Sequence, residues 1–188
     1  MNQCSEQEVA RLLPLVSPQR REQAMRYQHT FGRFCCLQSY VMLCELLSEW
    51  GRVHQVAVNE QPFFLYNEYG APYIEGGPYF SISHCKSGIA VAVCETPIGI
   101  DIETVRSLKS DLIRKTMSKP EQEYIISSAN PEVEFIRLWT QKEALLKLQG
   151  TGIISDLHHV LDNSQDIVWR ESSHPSLEYI CTIAIKLH

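Results

Sequence analysis

The chain has 188 residues, 44% of them hydrophobic and 21% charged, with a formal net charge of −5. That length supports one large domain or two small halves with a sizeable core. The acidic balance argues against general nucleic-acid binding, and no apolar run approaches the roughly 18 residues of a membrane span.

The opening, MNQCSEQEVA, has neither a basic n-region nor an apolar h-region, so no signal peptide is expected and the chain reads as cytoplasmic. Residues 5–15 and 18–29 read as short helices, the second opening at Ser17-Pro18. Residues 17–34 carry Arg20, Arg21, Arg26 and Arg33 against Glu22 alone. Such a run is either a solvated helix face or a local anion site on an acidic protein. Residues 32–49 form a longer apolar-striped helix, with Gly51 marking its end. Strand-like segments follow at 53–58 and 63–66, then a Gly/Pro-rich loop at 69–78. Successive strands are expected at 79–83, 88–93 and 98–103, helices at 106–117, 119–128 and 131–149, and a final alternating strand at 177–187. Helices followed by strands, twice over, predict an α+β fold in two similar halves, 1–96 and 97–188, joined at Thr96-Pro97. The seven cysteines form no C-x-x-C pair and lie among apolar residues, as reduced core thiols do.

The strand IGIDIE places Asp101 and Glu103 on one face, where each raises the cost of ionising the other. Either that face is wet and the charges are screened, or a divalent cation sits between them. Three further places bear on the choice. In FSISHCKSG, Ser81 and Ser83 share a strand face and His84 lies at the strand's end, a turn residue or a catalyst. In MSKPEQEY, Ser118 with Glu121 three residues on is a capping box, though a first-turn carboxylate can also face a site. In RLWTQKEALLKLQG, Glu143 and Lys147 have the spacing of a helix ion pair. Glu143 nevertheless lies on an apolar line, four residues after Trp139 and three before Leu146, where a carboxylate is costly unless paired or metal-bound. Three carboxylates, a cation, a His and nearby Lys and Arg suit metal-assisted chemistry on a phosphate ester or anhydride.

Ser83-His84, GIDIE (99–103) and, about forty residues on, WTQKEALLK (139–147) resemble in order and spacing the motifs of the 4′-phosphopantetheinyl transferases, in their pseudo-dimeric, surfactin-synthetase-type branch. SPQRREQAMRYQHTFGR (17–33), YGAPYI (69–74) and SKPE (118–121) are similar to further family segments, so the resemblance spans residues 17–152. It implies two similar α+β halves packed as a pseudo-dimer, with the active site in the cleft between them. It also implies transfer of the 4′-phosphopantetheine arm of coenzyme A to a Ser of an apo acyl or peptidyl carrier protein.

Carried over by position, Asp101, Glu103 and Glu143 would bind Mg²⁺, with Mn²⁺ also suited to three oxygen donors. Ser83 would contact coenzyme A, His84 would hydrogen-bond a phosphate, and Lys147 would hold the pyrophosphate, with Lys142 the weaker candidate for the same. Arg20 and Arg33 would grip the 3′-phosphate. Gly70 and Pro72 would line the adenine edge. Glu121 or Glu143 would take the carrier Ser proton. Two positions depart from the family pattern: Ala71 stands where the family often has Lys, and Gln23 where a second basic residue is common. Both losses fall on the nucleotide side, where Arg21 and Arg26 are available. The expected protein is a monomer with no nucleic-acid or membrane partner. Arg106, Lys109, Arg114 and Lys115, within 106–118, form either a carrier-docking surface or a solvated helix. The competing readings are another metal-dependent phosphate enzyme and a non-catalytic coenzyme A or carrier-binding module.

Overall fold

Ser5 begins the first helix, α1 (Glu6–Leu12): its hydroxyl accepts from Glu8 N while its own N–H donates to Glu8 Oε2. The computed structural model describes residues 4–108, 110–152, 156–162, 164–173, 176 and 178–187. Pro14, without an N–H, lies in the 3₁₀ turn Leu13–Leu15 that follows α1. Helix α2 (Pro18–Met25) starts on a Ser17 cap and stops four residues before the expected 29, where Arg26 N and Tyr27 N turn back to Gln23 O and Ala24 O.

Helix α3 (Thr30–His54) runs through Gly51, contrary to the sequence expectation. A Cβ at Gly51 would lie 2.8 Å from Val56 O and 2.9 Å from Val58 Cγ1. The glycine therefore admits the returning chain, and the helix ends instead at Gln55, which holds φ 56°. The expected strand at 53–58 does not form: its first two residues belong to α3, and Val56 N donates back to Gly51 O.

Strands β1 (Leu65–Tyr66), within the expected strand 63–66, and β2 (Pro72–Tyr73), within the expected loop 69–78, make a small antiparallel hairpin. Strands β3 (Tyr79–His84) and β4 (Ile89–Cys94) pair antiparallel, His84 opposite Ile89. Strand β5 (Ile98–Thr104) pairs with β7 (Tyr179–Lys186), and β7 with β6 (Ile167–Ser173), in the order β5-β7-β6. Helices α4 (Ser110–Thr116), α5 (Lys119–Ser127) and α6 (Pro131–Gln149) lie between β5 and β6 in sequence. Strand β6 went unrecognised in the sequence; Lys109 and Leu177 lie outside the described residues.

The α+β class is as expected. Leu37, Tyr40, Leu43, Phe64 and Phe80 belong to one core beneath α3, and Met117, Ile125, Phe135, Ile136 and Ile180 to a second beneath α6. A third joins Ala92 of β4 to Ile98, Ile100 and Ile102 of β5, with Cys181. The cysteines are all unpaired. Among the described residues no helix is long and apolar enough to cross a membrane.

Candidate active site

The alternation in β5 sends Ile98, Ile100 and Ile102 to one face and Gly99, Asp101 and Glu103 to the other. The second face is not wet. Helix α6 covers it so closely that a Cβ on Gly99 would lie 1.8 Å from Ala144 O. Across the same face Thr140 and Thr182 share a hydrogen bond of 2.7 Å, and Thr182 is the register partner of Asp101. Asp101 is consequently only 4% exposed.

Its Oδ1 accepts from Ser83 Oγ at 2.8 Å and from Lys147 Nζ at 2.6 Å. Lys147 Nζ also donates to Ile100 O at 3.1 Å. Ser81 and Ser83 accept from Ile100 N and Ile102 N at 3.0 and 3.3 Å. The edge of β5 away from β7 is thus tied to β3 by serine hydroxyls, and the same Ser83 that joins the strands orients Asp101.

Two carboxylate oxygens in this contact, Asp101 Oδ2 and Glu143 Oε1, are buried with no partner, a costly arrangement for anionic acceptors. Burial, followed by the neighbouring Asp101, pushes the Glu143 carboxyl above its ordinary pKa, with Lys147 opposing. Burial and then Asp101 likewise push Glu103 up, against the pull of Arg106 and Lys147. The three acids therefore form one crowded anionic patch. Lys147 pairs with Asp101 within it, and the apolar flanks of Glu143 argue against a solvated helix ion pair between Glu143 and Lys147. Among the described residues no three His, Cys, Asp or Glu are gathered closely enough to form a metal-binding group by themselves.

His84 is exposed at the end of β3. Loss of water on its covered side, and then the Lys147 ammonium, hold its pKa below the usual value, which favours neutral imidazole. Ser83, His84, Asp101, Glu103, Glu143 and Lys147 thus share one neighbourhood. Beside it a cavity of about 450 Å³ opens between the hairpin and the end of α6, with Pro72, Tyr79, Ile98, Lys147 and Gly150 among its walls. Gly70, at φ 81°, sits in the turn next to it.

Three expected contacts are committed elsewhere. Lys142 is 1% exposed, and its Nζ donates to Thr116 O, Leu157 O and Glu121 Oε2 at 2.7–2.9 Å. Those three donors are used inside the protein, so Lys142 is not free for pyrophosphate. Glu121 Oε2 also accepts from Ser118 N at 2.7 Å, which commits that oxygen to the helix start and to Lys142. Arg20 is 8% exposed, and its guanidinium donates to Cys36 O, Gln23 Oε1 and Ser39 Oγ. It lies over the Tyr40 and Phe64 rings and holds α2 on α3. Arg33 donates to Tyr27 O and pairs at 3.6 Å with Glu6, retaining partial exposure.

Sequence reading gave Ser81 no role and passed over Asn67. Ser81 differs from any strand serine only through its i, i+2 relation to Ser83. The signal for Asn67 was an Asn three residues before a glycine, a turn-forming pattern.

A family described as the 4′-phosphopantetheinyl transferase superfamily matches residues 97–184, from the start of β5 into β7. The 4′-phosphopantetheinyl transferase ffp of Bacillus subtilis is 29% identical over 153 residues, covering 79% of this chain and 66% of that one. The 4′-phosphopantetheinyl transferase Sfp of Bacillus subtilis (strain 168) gives the same identity and coverage. The 4′-phosphopantetheinyl transferase gsp of Aneurinibacillus migulanus is 28% identical over 140 residues, 73% of this chain and 57% of that one. The chain spans just under two thirds, or less, of the length of these curated relatives.

Proposed function

We propose that this chain, whose residues 97–184 match the 4′-phosphopantetheinyl transferase superfamily, moves the 4′-phosphopantetheine arm of coenzyme A onto a Ser hydroxyl of an apo acyl or peptidyl carrier protein. A bond forms between the Ser oxygen and the β-phosphorus. The bond to adenosine 3′,5′-bisphosphate breaks, and that nucleotide leaves. The observation that carries the reading is the pair of unpartnered buried oxygens, Asp101 Oδ2 and Glu143 Oε1, on elements packed face to face.

Hard oxygen donors of this kind fit Mg²⁺, or Mn²⁺, and Asp101, Glu103 and Glu143 are the residues that would hold it. When bound, the ion supplies positive charge to the pyrophosphate oxygens, as phosphoryl transfer requires. Lys147, already on Asp101 Oδ1, adds a cation at the cavity wall. Ser83 keeps Asp101 turned so that Oδ2 stays unpartnered. Neutral His84 offers a ring N–H to a phosphate oxygen. Glu143 is then the remaining candidate to take the Ser proton, since Glu121 Oε2 is engaged by Lys142 and Ser118. Arg33, partly exposed, is the better placed of the two arginines for the 3′-phosphate, and Gly70 and Pro72 would edge the adenine.

In this reading residues 1–96 and 97–188 are the two halves of a pseudo-dimer, and the cavity between hairpin and α6 belongs to their cleft. One chain supplies both walls, so the protein works as a monomer, in the cytoplasm. Arg106, Arg114 and Lys115, all exposed, would meet an acidic carrier surface.

The test is intact-mass spectrometry of an apo acyl carrier protein after incubation with this protein, coenzyme A and Mg²⁺, with an EDTA control. One phosphopantetheine gained, and not gained with EDTA, is the expected result. No gain on several carriers, together with no calorimetric binding of coenzyme A, would overturn the reading.

A further inference from the structure

Asn67 sits where β1 turns toward β2, exposed to solvent yet bonded on both ends of its amide. Its Oδ1 accepts from Tyr69 N at 3.0 Å and from Ala71 N at 2.9 Å, which shapes the 67–71 turn from within. Its Nδ2 donates to Gly150 O at 2.8 Å, across 83 positions of sequence. Gly150, at φ 66°, is the left-handed cap of α6, and its own N–H donates to Lys147 O. Lys147 in turn holds Asp101. Asn67, Ala71 and Pro72 form one side of the cavity; Lys147 and Gly150 are on the other.

We infer that Asn67 is a positioning residue that latches the turn bearing Gly70 and Pro72 to the end of the helix bearing Lys147. The nucleotide edge and the phosphate-binding cation are then held at one fixed separation before coenzyme A arrives. This rests on the transferase reading for its substrate, but the latch itself does not. The residue type is demanded by the bonds: the turn needs an acceptor and Gly150 O needs a donor, and only an amide of this short reach supplies both. A latch of this kind lowers the ordering cost of binding, so its loss should appear in KM for coenzyme A more than in kcat.

Asn67→Asp keeps the acceptor for Tyr69 N and Ala71 N but removes the donor to Gly150 O. Two readouts test it. Amide exchange at Gly150 and Thr151 should be about fivefold faster than in the wild type, with the global unfolding midpoint little changed. KM for coenzyme A should rise about fivefold while kcat stays within about twofold. Unchanged exchange at both amides, or unchanged KM in a folded variant, overturns the inference. Asn67→Ala, which also frees the two turn amides, should raise KM further. A wild-type protein that neither binds coenzyme A nor modifies a carrier would sink the transferase reading instead, and the exchange comparison would still decide the latch.

Discussion

Lys142 Nζ lies 2.7 Å from Glu121 Oε2, with the lysine side chain almost wholly buried and the glutamate partly exposed. Removing one member of a buried pair leaves the other charge uncompensated. Glu121→Gln should therefore cost about 3 kcal/mol in urea unfolding. Adding Lys142→Met should restore part of that loss, because the orphaned ammonium goes with it. A Glu121→Gln variant of wild-type stability that has lost carrier modification would return Glu121 to the role of proton acceptor.

Asp101→Asn keeps acceptor geometry toward Ser83 and Lys147 while removing the charge. The wild-type melting temperature should rise by a few degrees in millimolar Mg²⁺, since a ligand of the native state stabilises it by mass action. The variant should show no such rise and at least about a hundredfold less transfer. Equal Mg²⁺ responses in the two proteins would remove Asp101 from the ion's ligands. Asp101→Ala is the poorer probe: it strips Lys147 and Ser83 of a shared partner and carries a folding cost the sequence did not foretell.

The crowded acids make stability depend on pH in a definite direction. Glu103 and Glu143 have folded pKa values raised above the ordinary 4.5. The native state therefore holds those protons more tightly than the unfolded chain does. Their stabilising contribution is complete below pH 4.5 and is lost as pH rises through the raised values. Urea titrations without Mg²⁺ should show the wild type losing stability over that window relative to Glu103→Gln/Glu143→Gln. Parallel curves would mean that burial and the neighbouring carboxylates do not raise these two acids.

Gly99 has a steric role that its φ would not reveal. A Cβ there would meet Ala144 O at 1.8 Å and Leu148 N at 2.6 Å, both backbone atoms that cannot swing aside. Gly99→Ala should cost about 3 kcal/mol and lower transfer, because α6 must lift from β5 and take Glu143 and Lys147 with it. Wild-type stability in that variant would show that the helix can retreat freely.

What the sequence made legible was what local pattern controls. Helices α5 and α6 carry their own punctuation, as in Pro131 and Gly150 around α6, and appear close to where expected, whereas α4 starts at Ser110, four residues after the expected 106. The acids of β5 and α6 could be grouped because motif order brought them together before any contact was known. Roles that depend on distant neighbours were misread. Arg20 and Lys142 look like phosphate ligands as residue types, yet Cys36, Ser39 and the carbonyls of Thr116 and Leu157 claim their protons. Gly51 looks like a helix end, but Val58 presses against it. The wet-face alternative for Asp101 failed because periodicity shows which side chains share a face and says nothing about what covers it.

The serine ties on β5 bear on solubility as well as on chemistry. An open strand edge offers a row of backbone groups on which another chain can add a strand. Here Ser81, Ser83 and Lys147 occupy Ile100 N, Ile102 N and Ile100 O with side chains, which closes those groups to a strand from another chain. The side chains that surround Asp101 thus also guard this stretch of strand against self-association. Substitutions that empty the site can therefore be expected to make the protein stickier as well as inactive.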